Sequence, residues 1–401
     1  MTSPSIRRPA SENSARPARN RMDDSLIDVP PGLAGVVAAE TALGDVRGLE
    51  GFYHYRQYSA VELATRKPFE DVWQLMINGE LPTPEEASEF STAVRSARAV
   101  PDPVLAELPA IAAATGEADP LAALRAALAL ASAVYGMKPL YDQDQQARRQ
   151  AAITVGAITP VLLAALYRLR NSWPIIEPRA DLDHAANYYW MLTGREPDRQ
   201  QWQAINAYLI STIDHGFNAS TFTARVIAST GADLGSAVLG ALGSLSGPLH
   251  GGAPSRALDT LDAIGTEDRI GSWVRDAVGS GQRMMGFGHP IYRTEDPRSA
   301  MLKEIARGFG GQRVDFAIRV EESVLSILDE LKPGRALRTN VEFYAGVVME
   351  ACDIPRKMFT PTFATGRVIG WTAHILEQAA DSKIIRPSSR YVGPPPPQPF
   401  D

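Results

Sequence analysis

A single cysteine, Cys352, is all the thiol chemistry this 401-residue chain possesses, which excludes an intrachain disulfide framework and a cysteine-rich zinc site. A reducing, cytoplasmic compartment suits such a composition. Basic charge is not in excess either: the net charge of −6 gives no reason to expect a nucleic-acid partner. No run of 18 apolar residues occurs, and the most apolar stretches, such as 121–134, are alanine-rich and short for a bilayer, so no membrane partner is expected. Segments with period-two alternation are scarce, which leaves little room for sheet. What is present, 45% apolar and 21% charged residues, describes a globular protein with a large core, and at this length a chain divides into two domains.

Helix punctuation fills the space that strands leave. Ser59-Ala-Val-Glu62 reads as a capping box, and Thr83-Pro84-Glu85-Glu86 combines an N-cap, a first-turn proline and an acid three positions on. Asp102-Pro103 and Asp119-Pro120 repeat the start signal, the second leading to Tyr135 and a terminating Gly136. Further helices are predicted over 144–170 with a kink at Pro160, 182–193, 199–214, 219–229, 232–246, 254–264, 299–308, 313–331, 341–352 and 362–380. The fold class is all-α, with a short strand or hairpin near Phe52–Arg56. Gly235, Gly240 and Gly243 should weaken the 232–246 helix by roughly 1 kcal/mol each relative to alanine, so close helix–helix contact is expected there, within the chain or across a dimer. Residues 1–30 read as a disordered basic arm: Arg7, Arg8, Arg16, Arg19 and Arg21 give it a transit-peptide composition, but Pro4, Pro9 and Pro17 oppose the amphipathic helix. The proline-rich 394–401 reads as an extended tail.

Chemistry concentrates on few residues. Of six histidines, His250 and His289 sit in glycine-lined loops, Gly247-Pro-Leu-His250-Gly-Gly252 and Gly286-Phe-Gly-His289-Pro290, and His215 lies in Asp214-His-Gly-Phe-Asn218. A ring that changes charge near neutral pH, set between glycines, suits contact with a ligand. His54, His184 and His374 carry no such context and read as structural. The spacing of His215, His250 and His289 provides no His-x-x-x-His pair and no cysteine partner, so a metal is not expected. Gly286-Phe-Gly288 lacks the third glycine and the preceding strand of a dinucleotide loop. Cys352 reads as a small core residue rather than a nucleophile. What remains is acid/base and electrostatic chemistry beside Arg293, Arg298, Arg367 and Arg386, whose guanidinium forks suit a small polycarboxylate.

The chain resembles the citrate synthase family. Gly286-Phe-Gly-His289-Pro-Ile-Tyr-Arg293-Thr-Glu-Asp296-Pro-Arg298 fits that family's signature, and agreement continues through Tyr55-Arg56, Phe69-Glu-Asp-Val72, Gly79-Glu-Leu-Pro82, His215–Thr221, Gly247–Ala253, Asn340-Val341 and Phe359-Thr-Pro-Thr-Phe363 to Arg367–Trp371, about residues 32 to 393. The resemblance implies a mostly helical homodimer with a large domain over 31–251 and 358–393, a small domain over 252–357 and a cleft that closes between them. It implies condensation of an acyl-CoA, most often acetyl-CoA, with oxaloacetate, and thioester hydrolysis to citrate and CoA, without metal or cofactor. By the same likeness His250 stabilises the enol oxygen and His289 polarises the oxaloacetate ketone. His215, Arg298, Arg367 and Arg386 hold the carboxylates, Arg386 reaching the other subunit's site. Arg283, Met285, Gly286, Phe287, Gly288 and Arg293 meet CoA.

Two positions depart from the pattern: Gln57, where a glycine is common and which lies outside the catalytic set, and Glu342. Glu342, in Asn340-Val-Glu342-Phe-Tyr344, stands where the family ordinarily has its catalytic aspartate. It keeps the carboxylate and adds a methylene, so it either serves as the base on a longer arm or marks a paralogue that uses another acyl-CoA, as in 2-methylcitrate formation from propionyl-CoA, or mainly binds its ligands.

Overall fold

The computed structural model describes residues 26–400 apart from 117, 118, 251–253, 283, 289, 290, 293, 333, 335, 336 and 382. The expected arm therefore falls almost wholly outside the described residues. Contacts divide the chain into two compact units, one formed by the two ends, Met1–Glu40 with Arg386–Asp401, and one by Thr41–Ile385. In the end unit Arg390 pairs with Asp28, and 393–400 holds no helix or strand.

Thr41–Ile385 opens with a three-stranded antiparallel sheet, β1 Gly44–Arg47, β2 Phe52–Tyr55 and β3 Tyr58–Ser59, in the order β1-β2-β3 with His54 opposite both Asp45 and Ser59. The helices that follow are α1 Ala60–Arg66, α2 Phe69–Asn78, α3 Pro84–Ala97, α4 Asp102–Thr115, α5 Pro120–Val134, α6 Gln145–Arg170, α7 His184–Thr193 and α8 Arg199–Thr212. They continue as α9 Ala219–Ser229, α10 Leu234–Leu245, α11 Pro254–Ile264, α12 Ile270–Gly279, α13 Pro297–Phe309, α14 Gln312–Leu331, α15 Val341–Ala351 and α16 Phe359–Ala379. The fold is all-α with the small hairpin sheet where the sequence placed it.

The start signals act through their side chains. Thr83 and Glu86 form a reciprocal capping box, while Ser59 accepts the Glu62 N–H and Asp119 that of Leu121. Asp102 lies inside the first turn of α4 rather than capping it, because Pro101 takes the extended N-cap conformation. α6 runs through Pro160 as a single helix. It is apolar enough over its length to cross a bilayer by composition, yet it is mostly buried and packs on α3, α4, α5, α7 and α16.

α16 is the central helix. It is buried from Phe359 to Ile375 on most of its faces and packs on α2, α6, α8, α9 and α10, as expected of a helix apolar nearly all round. Two glycines set its approach to α8: a Cβ at Gly366 would lie 2.6 Å from Leu209 O, and one at Gly370 1.9 Å from Ile213 O. Glycine likewise explains part of α10. A Cβ at Gly235 would meet Ser132 of α5 and one at Gly240 would meet Ile227 of α9, so both contacts lie within the chain. A Cβ at Gly243 would meet Arg125 Nη1 at 3.8 Å. Downstream, α11 packs on α15, α12 on α14 and α13 on α15, while α13 and α15 also touch α8.

Candidate active site

The corner between α8 and α9 carries the densest polar chemistry in the core. β2 alternates outward and inward, so Tyr53 and Tyr55 both point in, and the Tyr55 hydroxyl donates to the carbonyls of Ile210 (2.8 Å) and Asp214 (3.1 Å). The next residue, His215, is buried between two aromatic rings, Tyr53 and Tyr292, each 5.5 Å away centroid to centroid. Its Nε2 lies 3.0 Å from the Tyr292 hydroxyl. Arg298 shares those rings, with Cζ 5.9 Å from the Tyr53 centroid and 6.0 Å from that of Tyr292. Asp296 grips Arg298 by Nε (3.0 Å) and Nη2 (2.8 Å) while capping its backbone N–H. Burial pulls the Arg298 guanidinium down, and the Asp296 charge and hydrogen bond outweigh it, so the group stays cationic.

Arg367 completes a second cationic centre. It is buried on α16 between the two close-approach glycines, and its Nε donates to Thr212 O at 2.7 Å. Burial lowers its pKa, and the charge of Arg298 lowers it further, whereas Asp214 supports the charge. Two guanidiniums within electrostatic reach of each other suit an anion with more than one carboxylate.

His250 is half-buried at the end of the loop after α10, and its Nε2 stands 2.8 Å from Ser220 Oγ. Burial first, and the charge of Arg367 second, lower its pKa to about 4, so the ring is neutral at pH 7. Ser220 Oγ accepts the Trp371 indole N–H (3.1 Å) and lies 2.8 Å from Asn218 Oδ1, which already accepts the Thr221 N–H. The one Ser220 proton thus has two candidate acceptors, Asn218 Oδ1 and His250 Nε2. When His250 Nε2 receives it, the ring carries its own proton on Nδ1, the form that can donate to a ligand.

Glu342 occupies the first turn of α15, half-buried, and its N–H is capped by Asn340 Oδ1 at 3.0 Å. The helix N-terminus favours a negative charge there. Asp296 Oδ2 accepts the Val341 N–H at 3.1 Å, so one carboxylate ties Arg298 to the start of the Glu342 helix. The segment 286–288 pairs with 338–340 through Gly288 N–H to Arg338 O (2.8 Å), Asn340 N–H to Gly286 O (2.9 Å) and a Phe287–Thr339 bridge. Gly286 and Gly288 both have φ of +85°, and a Cβ on Gly286 would press Phe343 at 3.0 Å, so the loop needs glycine twice.

Of the residues expected to act, His215, Arg298, Arg367, His250 and Glu342 converge. Tyr208 on α8 feels three of them: its hydroxyl is buried with no hydrogen-bond partner among the described residues, and burial, then Tyr188, raise its pKa while Arg367 and Arg298 lower it and Glu342 raises it. Gly286, Phe287 and Gly288 pair with 338–340, just ahead of the Glu342 helix, and Met285 precedes them in the same loop. Arg283, His289 and Arg293 lie outside the described residues, and Arg386 is exposed at the start of the second stretch of the end unit. Among the three histidines read as structural, His184 stacks on Phe69 at 4.9 Å, and burial lowers its pKa to about 3. His374 is different: its Nε2 meets Asp214 Oδ1 at 3.3 Å, one residue from His215. Sequence reasoning also passed over Tyr53, Tyr55, Tyr292, Ser220 and Asp296. Tyr55, Tyr292, Ser220 and Asp296 lay inside the family motifs without being singled out, and Asp296 carried a further signal as the N-cap before Pro297.

Comparison with known proteins places the chain in a family. The family model described as citrate synthase, C-terminal domain, matches residues 32–388. A citrate synthase of Synechocystis is 36% identical over 90% of this chain and 90% of its own. The crystal structure of citrate synthase from Thermotoga maritima superposes with a TM-score of 0.80 at 34% identity, covering 92% of this chain and 98% of that one. A citrate synthase from Thermoplasma acidophilum, solved as a ternary complex with carboxymethyl coenzyme A and oxaloacetate, gives 0.83 at 27% identity, with 92% and 97% covered. The chain belongs to the citrate synthase family of all-α enzymes, which join an acyl-CoA to oxaloacetate and release citrate and CoA.

Proposed function

We propose that this chain condenses acetyl-CoA with oxaloacetate through Glu342, His250 and His289, with no metal or cofactor. The observation that carries the reading is the convergence of Arg298, Arg367 and His215 with a neutral His250 and the Glu342 carboxylate. Arg298, Arg367 and His215 hold the two oxaloacetate carboxylates. Glu342 removes a proton from the thioester methyl group while His250 donates to the developing enol oxygen. The resulting carbon attacks the ketone, which His289 polarises, and water then cleaves the thioester of the bound citryl-CoA to give citrate and CoA. Arg283, Arg293 and the backbone of 285–288 hold CoA.

In this reading the large domain covers 31–251 and 358–393, the small domain 252–357, and their cleft closes to exclude water during condensation. The mutual packing of α11 to α15 supports the division. The chain works in the cytoplasm as a homodimer, with Arg386 reaching the other subunit's site. The small faces of α5, where Ala126, Ala129 and Ala133 are exposed, and of α10 at Gly243 suit close pairing of two copies.

The test is CoA release from acetyl-CoA and from propionyl-CoA with oxaloacetate present. Release from acetyl-CoA with the higher kcat/KM supports the reading, and preference for propionyl-CoA makes the chain a 2-methylcitrate synthase. Binding of oxaloacetate without release of CoA from either thioester refutes catalysis and leaves a ligand-binding paralogue, the alternative that the longer Glu342 arm favours.

A further inference from the structure

We propose that Glu321, a residue of α14 that no step of the reaction uses, is the positioning residue for the Glu342 carboxylate, acting through its hydrogen bonds to Thr339 and Tyr344. The inference rests on the function proposed above.

Glu321 is buried, and both of its oxygens are used. Oε1 accepts the Thr339 hydroxyl at 2.6 Å. Oε2 accepts the Tyr344 hydroxyl at 2.5 Å and the Lys303 ammonium at 2.6 Å. Thr339 and Tyr344 are themselves buried, and they bracket Asn340-Val-Glu342-Phe343 on both sides. One side chain on a separate helix therefore fastens the segment before and after the proposed base. Lys303 comes from α13, the helix whose first turn holds Arg298, and its Nζ stands 5.8 Å from the Tyr344 ring centroid.

The same hub reaches the CoA loop. Thr339 forms the bridge to Phe287, and Asn340 Nδ2 donates to Gly288 O at 2.9 Å. A carboxylate that takes three donors in a buried site holds its partners to a narrow geometry, because a displaced donor there finds no water to replace the bond. Burial, reinforced by the hydrogen bond to Glu321, raises the Tyr344 pKa, so the phenol stays protonated and keeps donating. A glutamate base has one more rotatable bond than an aspartate and gains more from a fixed backbone, since a misplacement of about 1 Å costs roughly 10²-fold in rate.

The experiment compares Glu321→Met, which removes the acceptor and keeps the volume, with Glu321→Gln. The amide of Gln can donate to Thr339 Oγ1 while its carbonyl accepts from Tyr344 and Lys303. For Glu321→Met the expected results are a kcat for CoA release lowered about 10²-fold with KM for oxaloacetate within about twofold. Amide hydrogen exchange at Glu342 and Phe343 should quicken by about tenfold or more while amides in α16 keep their protection. Glu321→Gln should recover most of both losses. Should Glu321→Met fail to fold, the double variant Thr339→Val with Tyr344→Phe keeps the charge pair and must show the same split. Unchanged exchange at Glu342, or a kcat that follows only the folded fraction, overturns the inference. If the unmodified protein releases no CoA, the proposed function falls, and the exchange measurement still decides whether Glu321 holds this segment.

Discussion

At the scale of single residues, the Ser220 hydroxyl has the most leverage for its size, because its one proton chooses the tautomer of His250. Ser220 stands between the Trp371 N–H that it accepts, Asn218 Oδ1 and His250 Nε2. Ser220→Ala removes the group that can hold the Nδ1–H form, and kcat for CoA release should fall roughly 10- to 100-fold, within the usual share of a single acid–base contact. Steady-state kinetics at saturating oxaloacetate read this directly, and an unaltered kcat would show that Ser220 does not orient the ring. His250 should also stay neutral on acidification until about pH 4, below the ordinary histidine range, because burial and Arg367 disfavour its cation. A proton NMR titration of its ring that turns near 6.5 would contradict this. His250 and His215 were legible in the sequence because glycine, asparagine and histidine in short loops have few structural uses. Tyr53 and Tyr208 were not, since a buried tyrosine looks the same in sequence whether its hydroxyl faces a ligand or a carbonyl.

At the scale of elements, the site depends on how closely α16 lies against α8. Gly370→Ala would drive a Cβ into Ile213 O, next to Asp214 and His215, and overpacking of this kind costs about 3 kcal/mol. Thermal unfolding should show that loss together with a raised KM for oxaloacetate, while Gly279→Ala, with nothing within 4 Å of its Cβ, should leave both nearly unchanged. Helix starts were readable wherever a side chain caps them, as at Thr83, Asp119 and Asn218. α12 escaped notice for the opposite reason. Arg269 supplies no side-chain cap, and Gly271 and Gly279 dilute the signal of a ten-residue helix whose buried face is Ile270, Val274, Ala277 and Val278. The pairing of 286–288 with 338–340 joins segments about fifty residues apart, and a three-residue bridge carries no periodicity from which to predict it.

At the scale of the whole molecule, stability and pH are linked through a buried cluster remote from the chemistry. Burial, with Asp183, raises the Glu70 pKa to about 7, while burial and Arg98 lower that of His184 to about 3. Arg98 Nη2 stands 3.8 Å from Glu70 Oε1, too far to hydrogen-bond, so its charge offsets the burial only in part. Between pH 4.5 and 7 folded Glu70 keeps a proton that the unfolded chain has released, so its contribution is complete below 4.5 and lost as pH rises through 7. His184 acts in the other direction, losing stability as pH falls from 6.5 toward 3. Glu70→Gln should therefore gain in melting temperature relative to the unmodified protein at pH 8 and not at pH 4.5; a difference independent of pH would contradict the titration. The proposed division into large and small domains rests chiefly on family likeness, since contacts within Thr41–Ile385 form one compact unit. The proposed condensation depends on one carboxylate with an unusual arm, Glu342. The most direct measurement is CoA release by Glu342→Gln beside calorimetric binding of oxaloacetate. With Glu342 as the base, oxaloacetate affinity stays within about twofold and kcat falls by about 10²-fold or more. Release at the unmodified rate would show that another group takes the proton.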